Sequence, residues 1–270
     1  MTTQTDLREA TVGTVDTFTK LTGDGQGGTL QDMTVPLWAK SIKHIAVAAG
    51  VDGAAATGNV LVKFAGATVH GDQILAVGSF GNIGTTVATA AATLQYDVDI
   101  PVQSGKSLEI YGAYAGGDSG TPELGVQVTF SDKGGSHRYV TRQALSATAD
   151  VYSTLNTENG TTAVNDHITQ GSMIDQVWVS VGYGATTQEP MAVYARVQGV
   201  GGCIAGNEHT FAGPSFLVSD GTVADAYVVG CMVNDVEIAC SPGTVRVQAV
   251  CSAASATTDP ECAVTLAYRV

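Results

Sequence analysis

The residues of this chain that could do chemistry are few and widely spaced. Asp97 and Asp99 stand two apart, so on a strand they share one face. Paired carboxylates can hydrolyse glycosides, but that chemistry comes with aromatic sugar platforms, and only 6% of the residues are aromatic. The pair therefore reads as a solvated or interface face. Calcium binding by this face or by Asp24 is the alternative. Gly105-Lys106-Ser107 looks like the end of a phosphate-binding loop. The motif's first glycine would fall where Ile100 stands, and a strand follows instead of a helix, so a hairpin tip is expected. Val77-Gly78-Ser79-Phe80-Gly81 lacks the spacing of a nucleophile elbow. His44, His70, His137, His167 and His209 are scattered, with no ligand spacing among them. Cys203, Cys231, Cys240, Cys251 and Cys262 form no CxxC pair. They read as buried thiols, with a Cys251–Cys262 bridge as the alternative. Trp38 and Trp178 read as core residues. Asn159-Gly160-Thr161 matches the N-glycosylation acceptor pattern in a loop, which makes Asn159 the candidate glycan site. The expectation is a chain with no catalytic residue, no cofactor and no obligatory metal.

The elements around these residues repeat. Val98-Asp99-Ile100 matches Val236-Glu237-Ile238, and Thr121-Pro122-Glu123 matches Asp259-Pro260-Glu261, both at an offset of 138. Gly125-Val126-Gln127-Val128-Thr129-Phe130 runs beside Ala263-Val264-Thr265-Leu266-Ala267-Tyr268 at the same offset. Ile42–Val47 matches Ile174–Val179 at an offset of 132. The acidic pair Asp97/Asp99 is thus repeated as Asp235/Glu237. A period of this size is a whole domain, not a solenoid repeat. Two units are expected, residues 1–133 and 134–270, related by internal duplication. Ser131–His137 would join them as a short, polar linker.

Each unit shows about eight short alternating or β-branched runs separated by Gly, Asp, Asn, Ser or Pro, as expected of strands. Examples are Thr11–Lys20, Ser107–Ala115, Leu145–Thr154 and Ala226–Ala239. The Ala- and Thr-rich stretch Thr85–Thr93 is the one candidate helix. The fold class is all-β: two tandem eight-stranded β-sandwiches, of jelly-roll or immunoglobulin-like topology.

Composition narrows the function. Charged residues are 14% of the chain, well below the average of roughly 25%. The net charge is −13, without a basic arm or patch, so direct binding to nucleic acid is not expected. No apolar run is long enough for a transmembrane helix, and the polar N-terminus has no signal-peptide core, so synthesis in a host cytoplasm is expected. All six Lys lie in the first unit, whereas the basic residues of the second are all Arg. Arg tolerates partial burial better, so the second unit is expected to supply more of any buried contact between subunits.

Taken as a whole chain, this architecture resembles the minimal double jelly-roll major capsid proteins of tailless icosahedral viruses of archaea and bacteria. The likeness rests on the paired β units and the stiff linker. At about 130 residues per unit, there is less room here for tower loops. The resemblance implies a structural subunit of a virion, not an enzyme. It would pair with itself as a homotrimer inside a larger shell, beside other capsid proteins or over an internal membrane. A cell-surface or filament/tube subunit and a tandem carbohydrate-binding module are the alternatives.

Overall fold

The computed structural model describes residues 2–13, 17–51, 56–82, 92–115, 122–144, 151–155, 166–168, 172–183, 192–214, 226–251 and 260–270. Among these residues there is strand but no helix. The first half carries β1 (Thr3–Thr11), β2 (Thr19–Lys20), β3 (Met33–Thr34), β4 (Ser41–Val51) and β5 (Ala56–Ala65), then β6 (Gln73–Asn82), β7 (Ala92–Pro101), β8 (Ser107–Ala115) and β9 (Pro122–Ser131). The second half carries β10 (His137–Ala144), β11 (Ser153–Thr154), β12 (Asp166–Ile168), β13 (Met173–Tyr183) and β14 (Val193–Val200). It continues with β15 (Glu208–Ala212), β16 (Ala226–Gly230), β17 (Met232–Ala239), β18 (Gly243–Cys251) and β19 (Pro260–Arg269).

These strands make four antiparallel sheets. In the first half, β1-β9-β4-β7 is an outer sheet and β6-β5-β8-β2 an inner one, with β3 also on β8. In the second half, β10-β19-β13-β17 is the inner sheet and β15-β14-β18-β11 the outer one, with β12 also on β18. The strand order is the same in both halves. The first strand pairs with the last, and the short second strand pairs with the strand before the last, the jelly-roll-like arrangement of a β-sandwich. The bulges agree too. Lys43 is the extra residue of β4 against β9 and Asp175 that of β13 against β19, 132 positions apart, and in both halves β7 and β17 place two residues opposite it.

Alternation builds each sandwich. In β9, Leu124, Val126, Val128 and Phe130 are buried, while Glu123, Gly125, Gln127 and Thr129 point the other way. Ile42, Ile45 and Val47 of β4 and Val60, Val62 and Phe64 of β5 complete the first core. Ile174, Val177, Val179, Val193, Ala195, Val197, Val245 and Val247 form the second. Inward-facing positions place Leu108 and Ile110 beside Val245 and Val247, an offset of 137, one less than the flanking blocks.

The two inner sheets then pack face to face, with β10, β13 and β19 crossing β5 and β6, so four sheets stack in one body. Leu61, Ala76 and Ala113 meet Ala263 across this seam. Much of the rest of it is polar. Ser180 Oγ donates to Asn59 Oδ1 at 2.8 Å, and Thr141 Oγ1 donates to the Ile74 carbonyl at 2.6 Å. The Ala76 amide donates to Thr265 Oγ1 at 3.0 Å, and the Tyr139 amide to Gln73 Oε1 at 2.8 Å. Asn59, Gln73, Thr141, Ser180 and Thr265 are all buried, so these bonds fix one docking geometry and leave little room to slide.

Three expectations change. The opening strand of each half, β1 and β10, was not among the expected runs, which began at Thr11 and Leu145. Both are polar strands at a sheet edge: β1 shows one buried residue in nine, and β10 alternates but buries the polar Thr141 and Gln143 beside Tyr139, so the hydrophobic period-2 signal is faint in each. The expected strand Ala226–Ala239 divides at Cys231. Its second part stays in the second half as β17, whereas its first part, β16, pairs with β6 and extends the first half's inner sheet. The candidate helix Thr85–Thr93 falls almost wholly outside the described residues, and Thr93 belongs to β7.

Candidate functional site

The two acidic strand faces singled out by the repeat end in one place. Asp97 and Asp99 lie on β7, Asp235 and Glu237 on β17, each pair separated by a valine that turns the other way. Together with His137, Tyr139, Asp175, Gln176 and Arg269 they line an open cleft of about 360 Å³ at the rim of the seam. No spacing in the sequence brings His137, Asp175 or Arg269 to Asp99; they meet because the second half's inner sheet packs with β10 against β7, with Asp175 standing at the bulge of β13.

A chain of alternating charges runs through it. The Lys43 ammonium pairs with Asp99. His137 Nδ1 lies 2.9 Å from Asp99 Oδ2, and its Nε2 lies 2.6 Å from Asp175 Oδ2. Arg269 closes the row with two bonds to Asp175, at 3.0 and 3.1 Å. The Ser136 amide and hydroxyl both donate to Asp99 Oδ2, at 3.0 and 2.9 Å, and the Asp99 amide donates to the Tyr139 hydroxyl at 3.0 Å. The order is thus cation, carboxylate, histidine, carboxylate, cation, crossing from the first half to the second. An imidazole with a carboxylate on each nitrogen is best satisfied as the doubly protonated cation.

The pKa shifts follow from these contacts. The hydrogen bond to Asp99 raises that of His137; burial opposes the rise, and Asp175 adds to it. Burial pushes Asp99 up, but the bonds from His137, Lys43 and Ser136 outweigh it and hold the carboxyl well below its usual range. The Tyr139 hydroxyl is pushed above its ordinary value, mainly by burial.

Ser136, His137 and Asp175 have the composition of a nucleophilic triad, and Ser136 Oγ is 3.4 Å from His137 Nδ1. The geometry serves another end. That nitrogen is taken by Asp99, and the serine hydroxyl is itself aimed at the same carboxylate. With a carboxylate on each nitrogen the ring is best satisfied protonated, and a protonated ring has no lone pair with which to take a serine proton. The arrangement is a charge lock between the halves.

The remaining sequence candidates take simpler roles. Asp24 caps its own loop: Oδ1 accepts the Gln26 and Gly28 amides, each at 2.8 Å, and these bonds lower its pKa. Asp97 is almost fully exposed, 3.2 Å from His44. Among the described residues no three His, Cys, Asp or Glu side chains stand in metal-binding geometry. Gly105, with φ of 73°, turns the tip of the β7–β8 hairpin as expected. Trp178 is fully buried, but in the first half's core, 5.0 Å from Tyr96 and 5.9 Å from Tyr139. Trp38 is half-buried against the same core. Cys203 and Cys262 are buried, and burial pushes the Cys231 thiol up to about 12. Asn159 and the side chain of Cys251 lie outside the described residues.

No protein-family model matches the chain, and no curated protein matches it. Among solved structures, the chain is similar to PNGF-II in space group C2, at 10% identity and a TM-score of 0.47 over 93% of this chain; it spans 58% of that protein's length. It is also similar to the T13 particle of infectious bursal disease virus, at 11% identity and a TM-score of 0.26, covering 99% of this chain and 73% of that one. The tandem CBM22-1–CBM22-2 domain of Paenibacillus barcinonensis Xyn10C is similar at 9% identity and a TM-score of 0.24, covering 97% and 94%.

Proposed function

We propose that this chain is a self-assembling structural subunit, the major capsid protein of an icosahedral shell, and that it is not an enzyme. One observation carries the reading: two jelly-roll-like sandwiches are locked as one rigid body by a buried, hydrogen-bonded seam. A tile that must meet its neighbours at fixed angles needs that rigidity, whereas binding modules on a tether do not. The recurring strand order and the matched bulges at Lys43 and Asp175 support a duplicated double jelly roll, with units at 1–133 and 134–270 and β16 reaching across between them. The cleft fits the same reading, because Lys43, Asp99, His137, Asp175 and Arg269 pair in one row that crosses from one half to the other. The diffuse net charge of −13 favours contacts with protein over direct contact with nucleic acid. In this reading the chain forms homotrimers within the shell of a virion, alongside other capsid proteins or an internal membrane.

Electron microscopy of the purified protein, with its mass in solution, tests this. Closed shells or discrete trimers are the expected result. Helical tubes would move the assignment to a filament or tube subunit. A stable monomer that binds glycans on an array would overturn assembly in favour of a tandem carbohydrate-binding module.

A further inference from the structure

Three of the six lysines have a carboxylate partner: Lys20 with Asp32 and Glu109, Lys43 with Asp99, and Lys63 with Asp72. The other three, Lys40, Lys106 and Lys133, form no ion pair among the described residues, and the fold gathers them at one end of the first half. The Lys40 amide donates to the Ser131 carbonyl at 2.8 Å, and its carbonyl accepts the Val102 amide at 3.0 Å. The Lys106 carbonyl accepts the Val35 amide at 2.9 Å, and that of Lys133 the Ser41 hydroxyl at 2.7 Å. Among them stands Leu37, at 85% the most exposed large apolar side chain of the described residues. Val69 is also exposed at this end, where its amide donates to the Pro101 carbonyl at 3.0 Å. The turn that carries Leu37 is pinned. The Ala39 amide donates to the Pro36 carbonyl at 2.9 Å, Val35 and Ala39 are fully buried, and Trp38 packs against the core. Resting on the shell reading for where a membrane lies, we infer that this end of the first half seats on an anionic lipid surface through Leu37, Val69, Lys40, Lys106 and Lys133, and that the second half's end does not.

Charge and apolarity select lipid together. Unpaired ammonium groups around an exposed leucine match an interface in which phosphate head groups lie above acyl chains. Duplex nucleic acid would use the lysines and leave Leu37 and Val69 in water. The rest of the chain sets the orientation: its net charge is −13, so an anionic bilayer repels its other faces. Asp132, beside Lys133, is half-buried and accepts the Thr2 amide; three lysines against it leave this end positive. The second half ends differently. Ile204 pairs with Cys240 there as Thr68 pairs with Val102 in the first half. The turns around that bridge, residues 201–207 and 241–244, hold no charged residue. Val200 is 44% exposed at that end, but no lysine stands anywhere in its half. The basic patch does not show in the sequence, because its three lysines are far apart along the chain and only the packed turns bring them together.

Vesicle sedimentation with the full chain tests the inference. The protein should bind vesicles of phosphatidylcholine with about 30% phosphatidylglycerol, come off as salt rises, and ignore pure phosphatidylcholine. Leu37→Ser should weaken binding about tenfold, and Lys40→Gln, Lys106→Gln and Lys133→Gln combined about 100-fold. Val200→Ser, at the second half's end, should leave it unchanged. All five side chains are exposed, so circular dichroism and mass in solution should match the unaltered protein. Unchanged binding in the triple variant, or as large a loss in Val200→Ser as in Leu37→Ser, would refute the inference. So would tighter binding to duplex DNA than to vesicles, with Leu37→Ser as tight as the unaltered chain. Assembly without any vesicle binding would refute the lipid contact and leave the shell reading standing. Vesicle binding that needs Leu37, in a chain that never assembles, would overturn the shell reading and keep the lipid contact.

Discussion

Strands β9 and β19 hold the same place in the two halves and meet different neighbours. In β9 burial alternates, with Gly125, Gln127 and Thr129 partly exposed. In β19 every residue from Cys262 to Tyr268 is buried, because Ala263, Thr265 and Ala267 turn onto the first half. Strands β5 and β14 show the reverse: β5 buries Val60, Leu61, Val62 and Phe64, with only Lys63 among them partly exposed, and β14 alternates. The inward residues are alike in each pair, and the outward ones differ in size and polarity. One sandwich can therefore be used twice if its inner face is kept and its outer face is adapted to what covers it.

The sharpest way to break this comparison is to substitute matched outward residues. Trp178→Ala empties a site in the covered face and should cost about 3–5 kcal/mol in urea unfolding, whereas its open counterpart Ala46→Ser should change stability by less than about 0.5 kcal/mol. Leu61→Ala should cost about 2–4 kcal/mol, while Tyr194→Ala in the monomer stays within about 0.5 kcal/mol. Comparable losses at both sites of either pair would mean that the outer faces are as tightly packed as the seam.

Polar residues of the seam sharpen the contrast. Thr265 accepts the Ala76 amide and bonds Thr141 at 2.8 Å, so Thr265→Val strands buried groups and should cost about 1–3 kcal/mol. Gln127→Val, on the open counterpart, should be near neutral by the same unfolding assay.

The smallest expected effect is at the charge lock, and it depends on pH. His137 has a raised pKa, so its contribution is complete below its ordinary value of 6.5 and fades as pH rises through the folded value. Asp99 has a depressed pKa, so its contribution is complete above 3.8 and is lost only in stronger acid. His137→Gln should therefore cost about 1 kcal/mol near pH 5.5, and less as the pH climbs past the raised value. Melting curves across this range check it; a cost that does not change with pH would show that His137 is not the charged link.

Some of this was legible in the sequence. Leu124–Phe130 against Cys262–Tyr268 carries the same inward pattern, and the matched runs at offsets of 138 and 132 located equivalent strands. Asp97/Asp99 and Asp235/Glu237 marked the cleft from both sides, although nothing said that the two faces share it. The lock itself was hidden. His137 lies in the expected linker, and nothing in the sequence singles out Asp175 or Arg269. Only the stacking of two sheets brings them within hydrogen-bond reach. The opening strands β1 and β10 were missed for a related reason: β1 buries one residue in nine, and two of the three residues that β10 buries, Thr141 and Gln143, are polar, so neither shows a hydrophobic period and backbone pairing to β9 and β19 makes each a strand.

By itself, then, the sequence determined the local structure: β strands of a given period, which side chains face a core, turns at glycines such as Gly105, and the likeness of the two halves. Period and turn chemistry are properties of neighbouring residues, and they act before any distant contact forms. The tertiary structure decided which sheet faces meet, that β16 crosses to the other half, and that five charged groups far apart in sequence form one row. Those outcomes depend on shape and hydrogen bonding between surfaces that no local pattern specifies. Leu61 and Tyr194 are both plausible outward residues of a strand, and only the sheet stacked on one of them makes it core.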